Sequence, residues 1–182
     1  MAIIAVLAAA LTPVVANYIE EARVTRTASE AQSLGAAILN FNKNTGKWPI
    51  FLSGASITSS STIYSILQSP GTDPACSASC GSWLPAAGNR GDMAGILERN
   101  TPGYATSGKF AWRGPYASNI GSDPWGHRYL VNASSLGFGL QKAVFVLSAG
   151  PNENVETTFD QNIGSGSSAV TVGGDDIAAR VR

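Results

Sequence analysis

The sequence predicts an α+β chain: a long N-terminal helix, first hydrophobic and then amphipathic, followed by a C-terminal globular head containing a small antiparallel β-sheet. Three observations support this. Residues 1–16, MAIIAVLAAALTPVVA, carry no charge, and Asn17-Tyr18-Ile19-Glu20-Glu21-Ala22-Arg23 continues them without a turn signal. Ala31, Leu34, Ile38 and Phe41 then recur at i, i+3, i+7 and i+10, an apolar stripe at helical spacing. Past residue 110 the pattern changes to short β-prone runs.

The helix is expected over residues 1–42, a first structural unit, with the head over 43–182. Glu20 and Arg23 sit at i, i+3 and can pair for a few tenths of a kcal/mol. Asn42-Lys43-Asn44-Thr45-Gly46, with Pro49 beyond, supplies the stop. A helix of about 40 residues is near 60 Å long, further than a small soluble domain needs to extend past its core.

The head divides at about residue 110. Its first part, 43–110, has little periodicity: a Ser/Thr-rich run at 53–61, a short helix expected at 62–68 before Pro70-Gly71, and a helical turn at 93–97 before Asn100-Thr101-Pro102-Gly103. An irregular segment this long must pack on something. The second part, 111–182, holds the sheet and a C-terminal loop. Asp123-Pro124-Trp125-Gly126 has the residue preferences of a type I turn. Strands are expected at 127–131 and 142–148, connected through 136–139, with a last short one at 177–181.

Composition narrows the function classes. Twelve basic residues balance twelve acidic ones, and no Lys/Arg cluster offers a phosphate-binding stripe, so no nucleic-acid partner is expected. Charge is sparse while Gly, Ser, Thr and Asn are abundant, which fits a loop-rich extracytoplasmic surface. Cys76 and Cys80 would need two more donors to hold zinc, and the single histidine, His127, does not complete the set. They form a short local disulfide if the head lies outside the cytoplasm, and a free thiol pair in a reducing compartment.

Three readings stand for residues 1–16: a buried core helix, a signal peptide and a membrane segment. The run rises roughly 24 Å, short of the ~20 residues that span a bilayer. Ala8, Ala9 and Ala10 would let another helix approach closely. Pro13 would cost a soluble helix about 3 kcal/mol, yet membrane helices tolerate it.

No catalytic residue is expected, and the chain is not read as an enzyme. His127 stands alone, with no GxSxG elbow, and reads as a surface or strand-edge side chain. Gly164-Ser165-Gly166-Ser167-Ser168 lacks the lysine of a phosphate loop. Trp112, Tyr116, Trp125 and Tyr129 could form a sugar-stacking platform but read better as head core. Asn152, Asn154, Asp160, Asp175 and Asp176 offer hard oxygens on two loops near the last strand; their spacing is not that of an EF-hand, and from composition they read as solvated polar loop.

Three blocks carry a family resemblance. AIIAVLAAALTPVVANYIEEAR resembles the N-terminal helix of type IV pilins and type II secretion pseudopilins. Trp112-Arg113-Gly114-Pro115-Tyr116 with Asp123-Pro124-Trp125-Gly126-His127-Arg128-Tyr129 is similar to the "GPY … DPWG-x-x-Y" stretch of major pseudopilin heads. Leu147-Ser148-Ala149-Gly150-Pro151-Asn152, with Gly173-Gly174-Asp175-Asp176-Ile177, resembles that family's "SxGxxG" and acidic C-terminal loops. The middle, about 47–108, matches nothing specific.

The resemblance implies a pilin-like fold and an N-terminally truncated chain that begins inside the family's helix, without the leader and the methylated first residue. It implies a single-pass inner-membrane protein with a periplasmic head, processed by a prepilin peptidase. Ile3, Ile4, Val6, Leu7, Leu11, Pro13 and Val14 would contact lipid before assembly and like helices afterwards. The partners implied are the chain itself, minor pseudopilins and an inner-membrane assembly platform, in a periplasmic or extracellular filament serving type II protein secretion. The loop residues Asn152, Asn154, Asp160, Asp175 and Asp176 would hold one Ca²⁺, with asparagines where calcium-binding members often have aspartates. A type IV pilus subunit for adhesion, motility or DNA uptake is the nearest alternative, and a membrane-anchored binding domain or hydrolase is the second.

Overall fold

The computed structural model describes residues 2–52, 54, 63–76, 81–137, 140–164, 166 and 169–182, with side chains described from residue 14 onward. Helix α1, Ala2–Thr45, is continuous through Pro13 and ends where expected. Gly46 takes the left-handed conformation (φ 67°) and its N–H donates to Asn42 O at 2.8 Å, a glycine stop that a Cβ would strain. Thr45 Oγ1 closes the end by donating to Phe41 O and accepting from Lys47 N.

The head contributes strands β1 (Ile66–Gln68), β2 (Ala75–Cys76) and β3 (Arg90–Asp92), helix α2 (Met93–Leu97), then β4 (Leu130–Val131), β5 (Phe145–Ser148), β6 (Asn154–Val155) and β7 (Ile177–Arg180). Five of these form one sheet in the order β3-β1-β4-β5-β7, and β2 pairs with β6 separately. The β4, β5 and β7 contacts are antiparallel, as is β1 with β4, but β3 runs parallel to β1. The sheet is therefore mixed rather than purely antiparallel, and it takes two strands from the segment before residue 110. The helix expected at 62–68 is corrected by this result: Ile66–Gln68 is a strand, because Ile66 and Leu67 each bury on an opposite face of the sheet. The strands expected at 127–131 and 142–148 are present but shorter.

The period-two alternation of strands divides the core in two. Leu67, Val131 and Val146 lie in register across β1, β4 and β5 and face α1, where they meet Ala31, Leu34, Ile38 and Phe41. The expected helical stripe is thus fully buried, worth about 1.5–3 kcal/mol for each large side chain. Ile66, Leu130, Phe145 and Leu147 point the other way, into a second cluster with Trp83, Val155 and Phe159. Trp83 donates through Nε1 to Thr157 O at 2.8 Å and meets Phe159 edge to face. Buried Asn132 ties this layer to the sheet, donating to Ala143 O and Phe159 O and accepting from Phe145 N. No polar atom of that amide is left without a partner.

Candidate functional site

The 123–129 part of the second resemblance block folds into a polar knot at the end of the sheet, while its 112–116 part packs on the core beside Phe41. Gly126 N donates to Asp123 O at 3.0 Å, closing the expected turn over Asp123-Pro124-Trp125-Gly126. Buried Asp123 accepts from Trp125 N and His127 N through Oδ1 and from Ser148 Oγ, at 2.6 Å, through Oδ2. Ser148 Oγ in turn accepts from Gly150 N at 3.2 Å. One carboxylate therefore fastens the turn to the end of β5, which joins the second and third resemblance blocks.

The same turn reaches α1. Trp125 Nε1 donates to Glu20 Oε1 at 2.9 Å, and Tyr129 OH donates to Glu30 Oε2 at 2.6 Å. Burial, aided by the neighbouring Glu30 carboxylate, pushes the Tyr129 phenol well above its ordinary pKa, so it remains a donor. The aromatics do not form an exposed platform: Tyr129 is buried, while Trp112 and Tyr116 pack on the core edge to face.

His127 sits at a strand edge, bridged to Thr72. Its Nδ1 lies 3.1 Å from Thr72 Oγ1 and its Nε2 lies 3.2 Å from Glu153 Oε2. Hydroxyl, imidazole and carboxylate in a row is the order of a hydrolytic triad. Here the hydroxyl also points at Gly126 O, 3.1 Å away, and the adjacent Thr72 N and Gly126 N are spent on Gly126 O and Asp123 O. The row works as a tie between three loops.

The candidate calcium loops come together in part. Asn152 N donates to Asp175 Oδ2, Asn152 Nδ2 to Glu156 Oε2, and Asn154 N to Asn152 Oδ1. Asp176 Oδ2 accepts from Glu156 N and Thr157 N at 2.9 and 2.6 Å. Burial raises the Asp176 pKa, with the Thr157 and Glu156 hydrogen bonds opposing that shift. Asp175 Oδ1 and Asp176 Oδ1 are buried without a hydrogen-bond partner. Asp160 is not brought to this group; it pairs with Lys142 at 2.8 Å. Glu156, which spacing did not single out, is the missed neighbour. It packs against Gly174 (φ 48°), where any side chain would collide with the carboxylate. Among the described residues, no three His, Cys, Asp or Glu side chains converge as a metal cluster. The two orphaned carboxylate oxygens are of the chemical type a hard cation takes, but the described residues form no complete cage around them.

Cys76 is disulfide-bonded, and Cys80, the other cysteine of the sequence, lies outside the described residues. On α1, the side chains of Ile3, Ile4, Val6, Leu7, Leu11 and Pro13 lie outside the described set, while Val14 is exposed. Val15, Tyr18 and Ile19 are exposed with it. Among the described residues, no helix is long and apolar enough to cross a membrane. No protein-family model matches the chain, and no curated protein or solved structure matches it significantly.

Proposed function

We propose that this chain is a pseudopilin-like structural subunit that polymerises, through its long helix, into a filament of a type II protein secretion system. The observation that carries the reading is the division of α1. Its C-terminal half is the wall of the head core, while Val14, Val15, Tyr18 and Ile19 stand exposed on a continuation that the head does not cover. Apolar side chains left in water at that density need a partner. Like helices supply it, and a bundle of them would receive the uncharged run without exposing it. The head would stay in the periplasm, anchored by the inner membrane until assembly.

The proposal extends to one Ca²⁺ at the 150–156 and 173–176 loops. The observation behind it is the pair of buried, partnerless oxygens on Asp175 and Asp176. These two carboxylates, with the Asn152 amide oxygen, would hold it alongside backbone carbonyls, as suits a hard cation. When bound, the ion would supply charge neutralisation and a cross-link between the two loops. Asp160 is not part of that set.

Expression of the chain behind a leader, with a prepilin peptidase and an assembly platform, followed by electron microscopy with and without chelator, tests both parts. Thin filaments built of this chain support the subunit reading, and their loss in chelator supports the ion. Absence of filaments together with ligand turnover by the head would favour an anchored hydrolase or binding domain.

A further inference from the structure

The exposed charges are sorted along α1. At its C-terminal end stand Lys43 and Lys47, both exposed. Beside them, Phe110 lies against Gly46 with Lys109 Nζ 5.4 Å from its ring centre, and Phe110 is 60% exposed. None of these three lysines has a carboxylate partner among the described residues. The helix macrodipole accounts for Lys43 in the last turn, but not for Lys47 or Lys109 beyond it. Asp92 and Glu98, in the segment that precedes Lys109, are occupied by Arg99.

The opposite end is acidic. Trp125 fixes the knot at the level of Glu20, roughly 35 Å up the helix from Lys43 at ~1.5 Å per residue. Around it lie Glu21, Glu153, Glu156 and Asp175. The bases at that end are held by acids already: Arg23 lies 3.5 Å from Glu20, and His127 meets Glu153. Arg90 and Arg128 both contact Asp73, Arg128 Nε at 2.9 Å but off its N–H direction, so that contact is an ion pair rather than a hydrogen bond. A chain with zero net formal charge is thus polar along its own helix.

We propose that copies of this chain associate head to tail, the basic end with Lys43, Lys47, Lys109 and Phe110 against the acidic end with Glu21 and Glu153 of the next copy. The proposal rests on the filament reading and names the contact that gives the filament its direction. A parallel two-fold dimer would set each end against its like and is disfavoured by repulsion. An antiparallel one would pair unlike ends and close at two copies, which filament formation distinguishes. Head to tail, unlike ends make a heterologous contact, which propagates rather than closes. Complementary patches also set register and speed encounter, and salt weakens both.

The test is filament yield from the whole chain with its assembly machinery, scored for wild type, the Lys47→Glu/Lys109→Glu pair, the Glu21→Lys/Glu153→Lys pair, and all four together. Each pair should reduce yield by about tenfold or more, because like charges then face each other. The fourfold variant should return to near the wild-type yield. Purified wild-type filaments should dissociate faster in about 1 M salt, where the screening length is ~3 Å. Thermal melting of each variant establishes that the head is folded. Wild-type filaments with folded pair variants assembling normally, or a folded fourfold variant that fails to recover, would overturn the contact and leave the filament reading intact. Absence of wild-type filaments would overturn that reading and the contact with it.

Discussion

Helix α1 is joined to the head in two ways along its length. From Ala31 to Phe41 the attachment is an apolar stripe buried against β1, β4 and β5. From Glu20 to Glu30 it is polar: an indole N–H and a phenol O–H from the 123–129 segment, each donated to a helix carboxylate. The first kind is non-directional and large; the second is directional and small in net energy, because water offers the carboxylates an alternative partner. The lower half therefore sets whether the head folds, while the upper half sets how the projecting helix is held. Apart from the buried Thr27, two hydrogen bonds from the head hold this stretch, so it can loosen before the domain behind it unfolds.

The largest predicted effect is in the lower half. Phe41→Ala removes a ring fully buried between Tyr104 and Tyr116, both edge to face with it at 4.9 and 5.4 Å. A loss of about 3–5 kcal/mol is expected in urea unfolding. Next is Asp123→Ala, which strips acceptors from Trp125 N, His127 N and Ser148 Oγ in a buried setting. About 2–4 kcal/mol is expected, with faster amide exchange concentrated at 123–127 and 148–150. Asp123→Ala costing less than Trp125→Phe would show that the knot does not hold the turn.

Trp125→Phe keeps most of the ring and removes one donor. Glu20 is half-exposed, so the global cost should be no more than about 1 kcal/mol. The informative readout is local. Amides of residues 17–24 should exchange faster in the variant while those of 34–41 are unchanged, which sharpens the contrast between the two attachments. Equal acceleration in both stretches would mean that the halves open as one unit.

What was legible in the sequence follows the same division. Ala31, Leu34, Ile38 and Phe41 announce their burial by spacing alone, since helical periodicity is a local property. The strands β1 and β3 do not announce theirs. Ile66–Gln68 is only three residues and its two apolar members face opposite clusters, so no alternation develops and the run resembles a helical turn. Arg90–Asp92 has no β-prone residue at all and pairs because Gly91 packs closely against Leu67 and Tyr64. The Asp123 turn was readable from its residues, but its bonds to Ser148 and through Trp125 to Glu20 span 25 and 105 positions. Glu156 enters the loop site through Gly174 for the same reason: the contact is made by the fold, not by spacing. Asp160 had the right chemistry and a nearer partner, Lys142.

The smallest expected effect concerns Asp176, below the knot. Its folded-state pKa is raised, chiefly by burial, so between the ordinary aspartate value near 3.9 and the raised folded value the native state binds more protons than the unfolded one. Stability must then fall as pH rises through that window, the reverse of a salt-bridged carboxylate. Asp176→Asn can keep one oxygen for Glu156 N and Thr157 N and puts an amide where the partnerless Oδ1 stands. The variant should be more stable than wild type at pH 7, by about 1 kcal/mol or less, and equal to it below about pH 3.5. Calcium reverses the order if the loop holds it. Saturation at ~100 times Kd adds about 2.7 kcal/mol to wild type, and the variant, lacking one carboxylate charge, should gain much less. Thermal melts at pH 7 with chelator and with added Ca²⁺ separate the two cases. A variant less stable in both would mean that the Asp176 charge is satisfied by the loop itself.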